Sequence, residues 1–164
     1  KRYHPPLGWA RYGLGVVTGV PDEDEWIHPF NTRKNWWRAY HGTKNAGKYM
    51  DGVDTSDETQ MENAAIDSVA NIISNGFKMA NVARYGDGVY CSPKPASSKL
   101  EHYIPSAKVR FEGETEDRVF EFMLQVAVRP GQDTLTADST NTIWAVQNPD
   151  NIRPYGLLLR EMDV

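Results

Sequence analysis

Residues 57–75 have their apolar positions spaced as on one face of an α-helix. Those positions are Met61, Ala65, Val69, Ile72 and Ile73. Asp57 and Gln60 resemble an N-terminal capping pair, and Gly76 stands where a left-handed C-terminal cap is favoured. The pattern predicts a helix over these residues, with its apolar face packed on the core.

Residues 119–128 show the two-residue alternation of a strand with one buried face. The apolar positions Phe120, Phe122, Leu124, Val126 and Val128 alternate with Glu121, Gln125 and Arg129. Shorter strands are predicted at residues 36–40, 88–92, 107–111, 142–146 and 155–159. Extended segments on both sides of one long helix predict an α+β fold.

The first 35 residues are rich in Pro, Gly, Trp and charge, and we expect them to supply an edge strand and loops that cover one side of the core. Gly13 and Gly15 suggest a dinucleotide fingerprint. Position 18 is Thr, however, and no helical pattern follows, so we reject that motif. A chain of 164 residues is then one domain, with residues 36–164 as its core.

Composition argues against several classes of function. The net charge of −4 disfavours a partner held mainly through nucleic-acid phosphates or anionic lipid. No apolar run approaches the roughly 18 to 20 residues that cross a bilayer. A single cysteine, Cys91, and four scattered histidines offer neither a disulfide framework nor a zinc spacing. We expect an intracellular protein, cytoplasmic or nuclear, and, because no leader follows Lys1, a part of a larger multidomain protein.

Two motifs place a polar ring beside small residues at the end of an apolar run. They read Ala39-Tyr40-His41-Gly42-Thr43 and Gly86-Asp87-Gly88-Val89-Tyr90-Cys91-Ser92. Glycine allows the backbone to approach a flat ligand closely, and the neighbouring ring can be directed at that ligand. The two motifs therefore indicate a binding site.

The ordered set of motifs resembles the NAD-binding core of the diphtheria-toxin-type ADP-ribosyltransferases, the poly(ADP-ribose) polymerase family. The set comprises His-Gly-Thr at residues 41–43, Asn-Gly-Phe at 75–77 and Tyr-Gly-Asp-Gly-Val-Tyr at 85–90. The resemblance covers roughly residues 37–160. It implies two antiparallel sheets packed around an NAD cleft, with one main helix, and NAD as the substrate without a metal.

The resemblance also implies roles for individual residues of the first two motifs. His41 is expected to bond the adenosine ribose of NAD. Gly42 is expected to pair its N–H and C=O with the nicotinamide carboxamide, and Thr43 completes the same NAD-binding motif. Tyr90 matches the second member of the family's catalytic triad.

Two further contacts to nicotinamide are implied after the second motif. Ser98 matches the family serine that bonds the carboxamide, with Ser97 as the alternative. Tyr103 matches the tyrosine that stacks on the nicotinamide ring, a contact typically contributing about 0.5 to 1.5 kcal/mol beyond area burial.

The chain departs from the family at the third triad position. The polymerases carry a glutamate there, which bonds the ribose 2′-hydroxyl and activates the acceptor hydroxyl. Residues 139–144 of this chain read Ser-Thr-Asn-Thr-Ile-Trp, so Thr142 takes the position and Asn141 is the next candidate. Neither side chain ionises, and losing one such group commonly lowers the rate about 10²- to 10³-fold.

A mono-ADP-ribosyltransferase is the function that this departure favours, with a protein as the first choice of acceptor and a nucleic acid as the second. The alternative is a catalytically inactive module that binds NAD or ADP-ribose, or presents a surface to another protein. Cholera-toxin-type transferases fit less well, because only their Glu-x-Glu element has a counterpart, at Glu112-x-Glu114 and Glu114-x-Glu116, and this stretch is predicted as a surface loop. The RNA 2′-phosphotransferases need Arg-x-His-x-His where residues 84–88 read Arg-Tyr-Gly-Asp-Gly.

Overall fold

A computed structural model of the chain describes residues 3–19, 23–27, 34–79, 87–131, 134–136 and 140–163. The regular structure of the described residues consists mainly of one long helix and eight strands, so the expected α+β class is confirmed. In chain order the elements are β1 (Ala10–Gly13), β2 (Trp37–His41), α1 (Glu58–Asn75), β3 (Val89–Cys91), α2 (Ser98–Glu101), β4 (Ser106–Val109), β5 (Arg118–Val128), β6 (Thr134–Thr136), β7 (Trp144–Val146) and β8 (Ile152–Met162).

The larger of two antiparallel sheets has the strand order β1-β8-β5-β2, and β4 also pairs with the first part of β5. The ladder between β5 and β8 runs from Val119 opposite Met162 to Val128 opposite Ile152. The strand predicted at residues 119–128 is therefore confirmed as the centre of this sheet. The strand predicted at 155–159 is longer at both ends, because β8 pairs along almost the whole of β5.

The smaller sheet has the strand order β3-β7-β6. Val89 lies opposite Val146, and Cys91 lies opposite Trp144. The strand predicted at 142–146 begins only at Trp144, so Thr142 belongs to the preceding loop. The chain turns there, since Asn141 has a positive φ of 52°. The short strand β6 was not predicted.

A hydrophobic core fills the space between the two sheets and α1. The smaller sheet contributes Val89, Cys91, Trp144 and Val146, the larger sheet contributes Leu124, Val126 and Val128, and α1 contributes Ala65, Val69 and Ile72. Burying each of the larger apolar side chains stabilises the fold by roughly 1.5 to 3 kcal/mol. This core holds the two sheets and the helix in one arrangement.

Helix α1 begins and ends close to its predicted bounds. The Asp57 carboxylate accepts hydrogen bonds from the backbone N–H groups of Thr59 and Gln60, as expected of an N-cap. Gly76 has the expected positive φ of 80°, although its ψ of −178° is extended and not left-handed helical. Ile73 was wrongly placed on the buried face: it is 40% exposed, because each residue rotates about 100° around the helix and the step from Ile72 carries it off that face.

Both faces of the second half of β5 are buried, and the prediction of a strand with one buried face is wrong there. Met123 and Gln125 are 1% and 2% exposed, although they alternate with the core residues. Residues of the N-terminal segment pack over this second face. Trp9 contacts the cluster around Met123, and Trp26 packs with Ala127 and Tyr155.

None of the described helices is long and apolar enough to cross a membrane.

Candidate functional site

The two motifs lie next to each other where β2 and β3 end. The N–H of Tyr40 donates to the carbonyl of Ser92, and the N–H of Ser92 donates back to Tyr40, each over 2.8 Å. Beyond this bridge, on the side of Gly42 and Tyr90, no further backbone hydrogen bond joins the two strands among the described residues. The bridge therefore fixes β2 beside β3 immediately before the predicted site residues His41 and Gly42.

His41 is the last residue of β2, and its ring reaches across to β3. Its Nδ1 lies 2.7 Å from the carbonyl oxygen of Tyr90. A carbonyl can only accept, so Nδ1 carries the proton and Nε2 is left as an acceptor in the neutral ring. Burial lowers the pKa of His41, and the bond to the Tyr90 carbonyl opposes this shift in part. The ring is therefore favoured in its neutral form with the proton on Nδ1, and in this form Nε2 can accept a hydrogen bond.

Phe77 contacts the same imidazole from the end of α1. The two ring centroids lie 5.0 Å apart at an interplanar angle of 82°, an edge-to-face arrangement. Phe77 is 8% exposed and belongs to the core cluster between the sheets. His41 is therefore held by two different elements.

Gly42 is packed against the backbone of Tyr103. A Cβ added to Gly42 would overlap the Tyr103 carbonyl group, lying 2.6 Å from its carbon atom. The Tyr103 carbonyl also accepts a 3.0 Å hydrogen bond from the N–H of Lys44. Glycine is thus required here by the approach of two protein segments, a reason that the sequence did not reveal. The same approach brings Tyr103, whose side chain is 43% exposed, beside the first motif.

The peptide N–H and C=O of Gly42 come two positions after those of Tyr40. Tyr40 uses its N–H and C=O on the side of β3, and backbone groups of an extended chain recur on one side every two residues, so we expect the Gly42 groups to be directed to that side. Within the described part of the chain, neither group has a hydrogen-bond partner. An adjacent donor and acceptor of this kind can pair with a planar carboxamide.

The Thr43 hydroxyl is hydrogen-bonded within the protein. Its hydroxyl donates a 3.1 Å hydrogen bond to the carbonyl of Ala65 in α1, and the residue is 5% exposed. This contact joins the loop after β2 to the helix. Thr43 therefore positions the motif from within the protein.

The two serine candidates for a nicotinamide contact, Ser97 and Ser98, are neighbours at the start of α2. The Ser97 hydroxyl caps α2 by accepting from the N–H of Leu100 at 3.3 Å, and Ser97 is 7% exposed. Ser98 is the first residue of α2, and its side chain lies outside what the structure describes. In this bond the Ser97 hydroxyl acts as an acceptor and keeps its own proton to donate, so both serines stay candidates for a ligand contact.

Tyr90 lies in the middle of β3, opposite Ala145 of β7. Its neighbours Val89 and Cys91 face the core, so the phenol lies on the other face of the smaller sheet, where the residue is partly buried. Its contact with His41 is made through the backbone carbonyl.

The loop before β7 holds both candidates for the third triad position. The Asn141 side-chain oxygen accepts a 2.8 Å hydrogen bond from the indole N–H of Trp144, which orients Asn141 towards the core tryptophan. The Thr142 hydroxyl lies 2.9 Å from that of Thr140. Both residues precede the strand that pairs with Tyr90, and both side chains are hydrogen-bonded close to that strand, so Thr142 and Asn141 both stay candidates for this position.

Sequence reasoning did not find a concave region on the face of the larger sheet that the N-terminal segment covers. This depression of about 600 Å³ is lined by residues that include Trp26, Trp36, Arg153, Lys34 and Glu25. The Arg153 guanidinium lies over both tryptophan rings, at 5.5 and 5.0 Å from their centroids, and Lys34 forms an ion pair with Glu25. The residues that line this depression come from distant parts of the chain, so no local sequence motif predicts it.

Among the described residues, no group of three or more His, Cys, Asp or Glu side chains is arranged to hold a metal ion. In comparisons with known proteins, no family model matches the chain, and no curated protein matches it. Function is therefore inferred from the contacts of His41, Gly42, Tyr90 and Tyr103.

Proposed function

We propose that this domain has the fold of the diphtheria-toxin-type ADP-ribosyltransferases, binds NAD and transfers a single ADP-ribose to a macromolecular acceptor, with a protein as the first choice. The observation that carries the proposal is the backbone of Gly42, whose N–H and C=O have no hydrogen-bond partner within the described part of the chain. A nicotinamide carboxamide offers the complementary acceptor and donor. The motif resemblance identifies the same residue independently.

Two side chains flank that backbone edge. Tyr103 is brought there by the packing of its carbonyl against Gly42, and its exposed ring can stack on the nicotinamide. His41 presents Nε2 as an acceptor, which suits the hydroxyl of a ribose. One site thus offers contacts to a carboxamide, a flat ring and a sugar.

The reaction breaks the bond between the ribose C1′ and the nicotinamide nitrogen. The electron pair of that bond returns to the positively charged pyridinium ring, so nicotinamide leaves neutral, and the ribose develops positive charge. An acceptor oxygen then forms the new bond to C1′. A carboxylate acceptor, such as Asp or Glu on a protein, arrives without a proton to lose and needs no base.

Thr142 limits the reaction to a single transfer. Growing a chain requires the removal of a proton from a weakly acidic ribose hydroxyl, and a threonine has no carboxylate with which to take it. Transfer to an ionised acceptor is therefore expected without elongation.

A second candidate function is a catalytically inactive module that binds NAD or ADP-ribose. The observation that favours it is the same threonine, because the site retains its binding groups while the family's ionisable residue is replaced. The two candidates differ in whether label from NAD becomes attached to a macromolecule. Incubation with labelled NAD and a protein extract separates them: transferred label supports the transferase, and binding without transfer supports the module.

Calorimetric titration with NAD tests the site itself. Tyr103→Ala is expected to weaken NAD binding roughly tenfold by removing a stacked ring. Tyr12→Ala is the matched control, since Tyr12 is also an exposed tyrosine but lies on β1, at the other side of the larger sheet. Equal affinities in the two variants would place the nicotinamide contact elsewhere, and an absence of NAD binding by the unmodified domain would reject both candidate functions.

A further inference from the structure

Among the residues that the structure describes, Phe77 is the one aromatic side chain that contacts the His41 ring. It follows Gly76, whose positive φ of 80° turns the chain as α1 ends. The ring of Phe77 is thereby directed back into the core between the sheets. Phe77 thus makes an edge-to-face contact with His41, the histidine that we propose binds the ligand.

The hydrogen bond to Tyr90 alone does not hold the imidazole in one orientation. Rotation of the ring by a half turn about its bond to Cβ exchanges Nδ1 with a carbon atom, and it costs only the one bond to the Tyr90 carbonyl. A second contact on the ring is needed to resist that rotation. Phe77 supplies it at 5.0 Å, with little room to move because it is 8% exposed.

We propose that Phe77 is a positioning residue for the NAD site, which acts by holding the His41 ring in the orientation that keeps Nδ1 on the Tyr90 carbonyl and Nε2 free for a ribose hydroxyl. The part of this inference that concerns NAD rests on the proposed function. The part that concerns the His41 ring does not, and it can be measured without a ligand.

The experiment compares the imidazole nitrogen signals of three ¹⁵N-histidine-labelled proteins by long-range ¹H–¹⁵N correlation. These are the unmodified chain, Phe77→Leu and the control Phe122→Leu. Phe122 is 6% exposed and belongs to the same core cluster, so the control makes the same change at a matched depth. The signals of His41 are identified by their loss in His41→Gln.

The unmodified chain and the control are expected to show His41 as the single tautomer with the proton on Nδ1. Phe77→Leu is expected to show averaged signals from both tautomers, and an affinity for NAD lowered by roughly two- to tenfold, the range of an aromatic pair. Phe77→Tyr keeps the ring and is expected to restore the single tautomer. If Phe77→Leu does not fold, the imidazole nitrogen signals of His41 are measured in Phe77→Met instead.

A single, unchanged tautomer in the folded Leu or Met variant would overturn the positioning role, whatever the domain binds. Tautomer averaging of equal extent in Phe122→Leu would also overturn it, since the effect would then belong to the core as a whole. If the tautomer changes as expected but the unmodified chain does not bind NAD, the positioning of His41 stands and only the proposed function fails.

Discussion

His41 and Tyr90 are 49 positions apart in the sequence, and the Nδ1 atom of His41 lies 2.7 Å from the Tyr90 carbonyl oxygen. This bond joins the two motifs directly. It uses the backbone carbonyl of Tyr90 and not its phenol. It also leaves Nε2 as the nitrogen of His41 that can accept a hydrogen bond from a ligand. Ligand binding at His41 should therefore depend on pH.

NAD binding is expected to be independent of pH around neutrality and to weaken in acid. Burial lowers the pKa of His41, so the folded protein favours the neutral ring, whose Nε2 accepts a hydrogen bond.

The same pKa shift affects folding stability, because an unfolded histidine titrates at about 6.5. The contribution of His41 to folding stability is therefore fully present above that pH, and it is lost as the pH falls through the lower folded pKa.

Calorimetric titrations with NAD between pH 5 and 8 measure this dependence. His41→Gln removes the titrating group and is expected to flatten the acid limb while it weakens binding. An acid limb of the same shape in His41→Gln would assign the titration to another group.

Gly42→Ala is expected to destabilise the fold by about 1 to 3 kcal/mol, the usual cost of overpacking. The added Cβ would overlap the Tyr103 carbonyl and push apart the two segments that form the site. Urea unfolding gives the change in free energy. Gly15→Ala is the control, because a Cβ at Gly15 meets no atom within 4 Å and no positive φ is involved, and equal losses in both variants would contradict this packing.

Thr43→Val is expected to lower the free energy of unfolding by about 1 kcal/mol, since valine has nearly the same shape and loses the hydrogen bond to the Ala65 carbonyl. NAD affinity is expected to change by less than a factor of about 2, because the Thr43 hydroxyl is committed to α1. Denaturation and NAD titration of one preparation measure both quantities. A large loss of affinity at unchanged stability would instead make Thr43 a ligand contact.

Thr142→Glu is expected to raise the rate of NAD cleavage by about 10- to 100-fold, because a carboxylate near the ribose stabilises the positive charge that develops there. Mass spectrometry of the products is expected to show single ADP-ribose units from the unmodified domain and short chains from the variant. Thr142→Gln introduces a side chain of the same length without the charge and is expected to leave the rate nearly unchanged. Long polymers from the unmodified domain would show that another residue supplies the carboxylate.

Much of the fold could be predicted because the signals that form it are local. The capping bonds of Asp57 and the spacing of Val69 and Ile72 predicted α1, and the alternation of apolar residues predicted β5. Their formation depends on contacts within a few positions along the chain. Ile73 shows the limit of this reasoning, since an apolar residue at the margin of the stripe has no local signal to say that it is exposed.

The candidate site is divided in the same way between local and distant causes. The sequence by itself determined which residue types stand at the ends of β2 and β3: a histidine and a glycine in one motif, and a tyrosine in the other. Only the tertiary structure decided that Tyr103 packs against Gly42, that Thr43 bonds to Ala65 and that Phe77 lies against His41. It also decided that both faces of the second half of β5 are buried, because the covering residues come from the N-terminal segment. These relationships join segments far apart in the chain, and they arise from the way in which sheets and helix share one core, which no local pattern encodes.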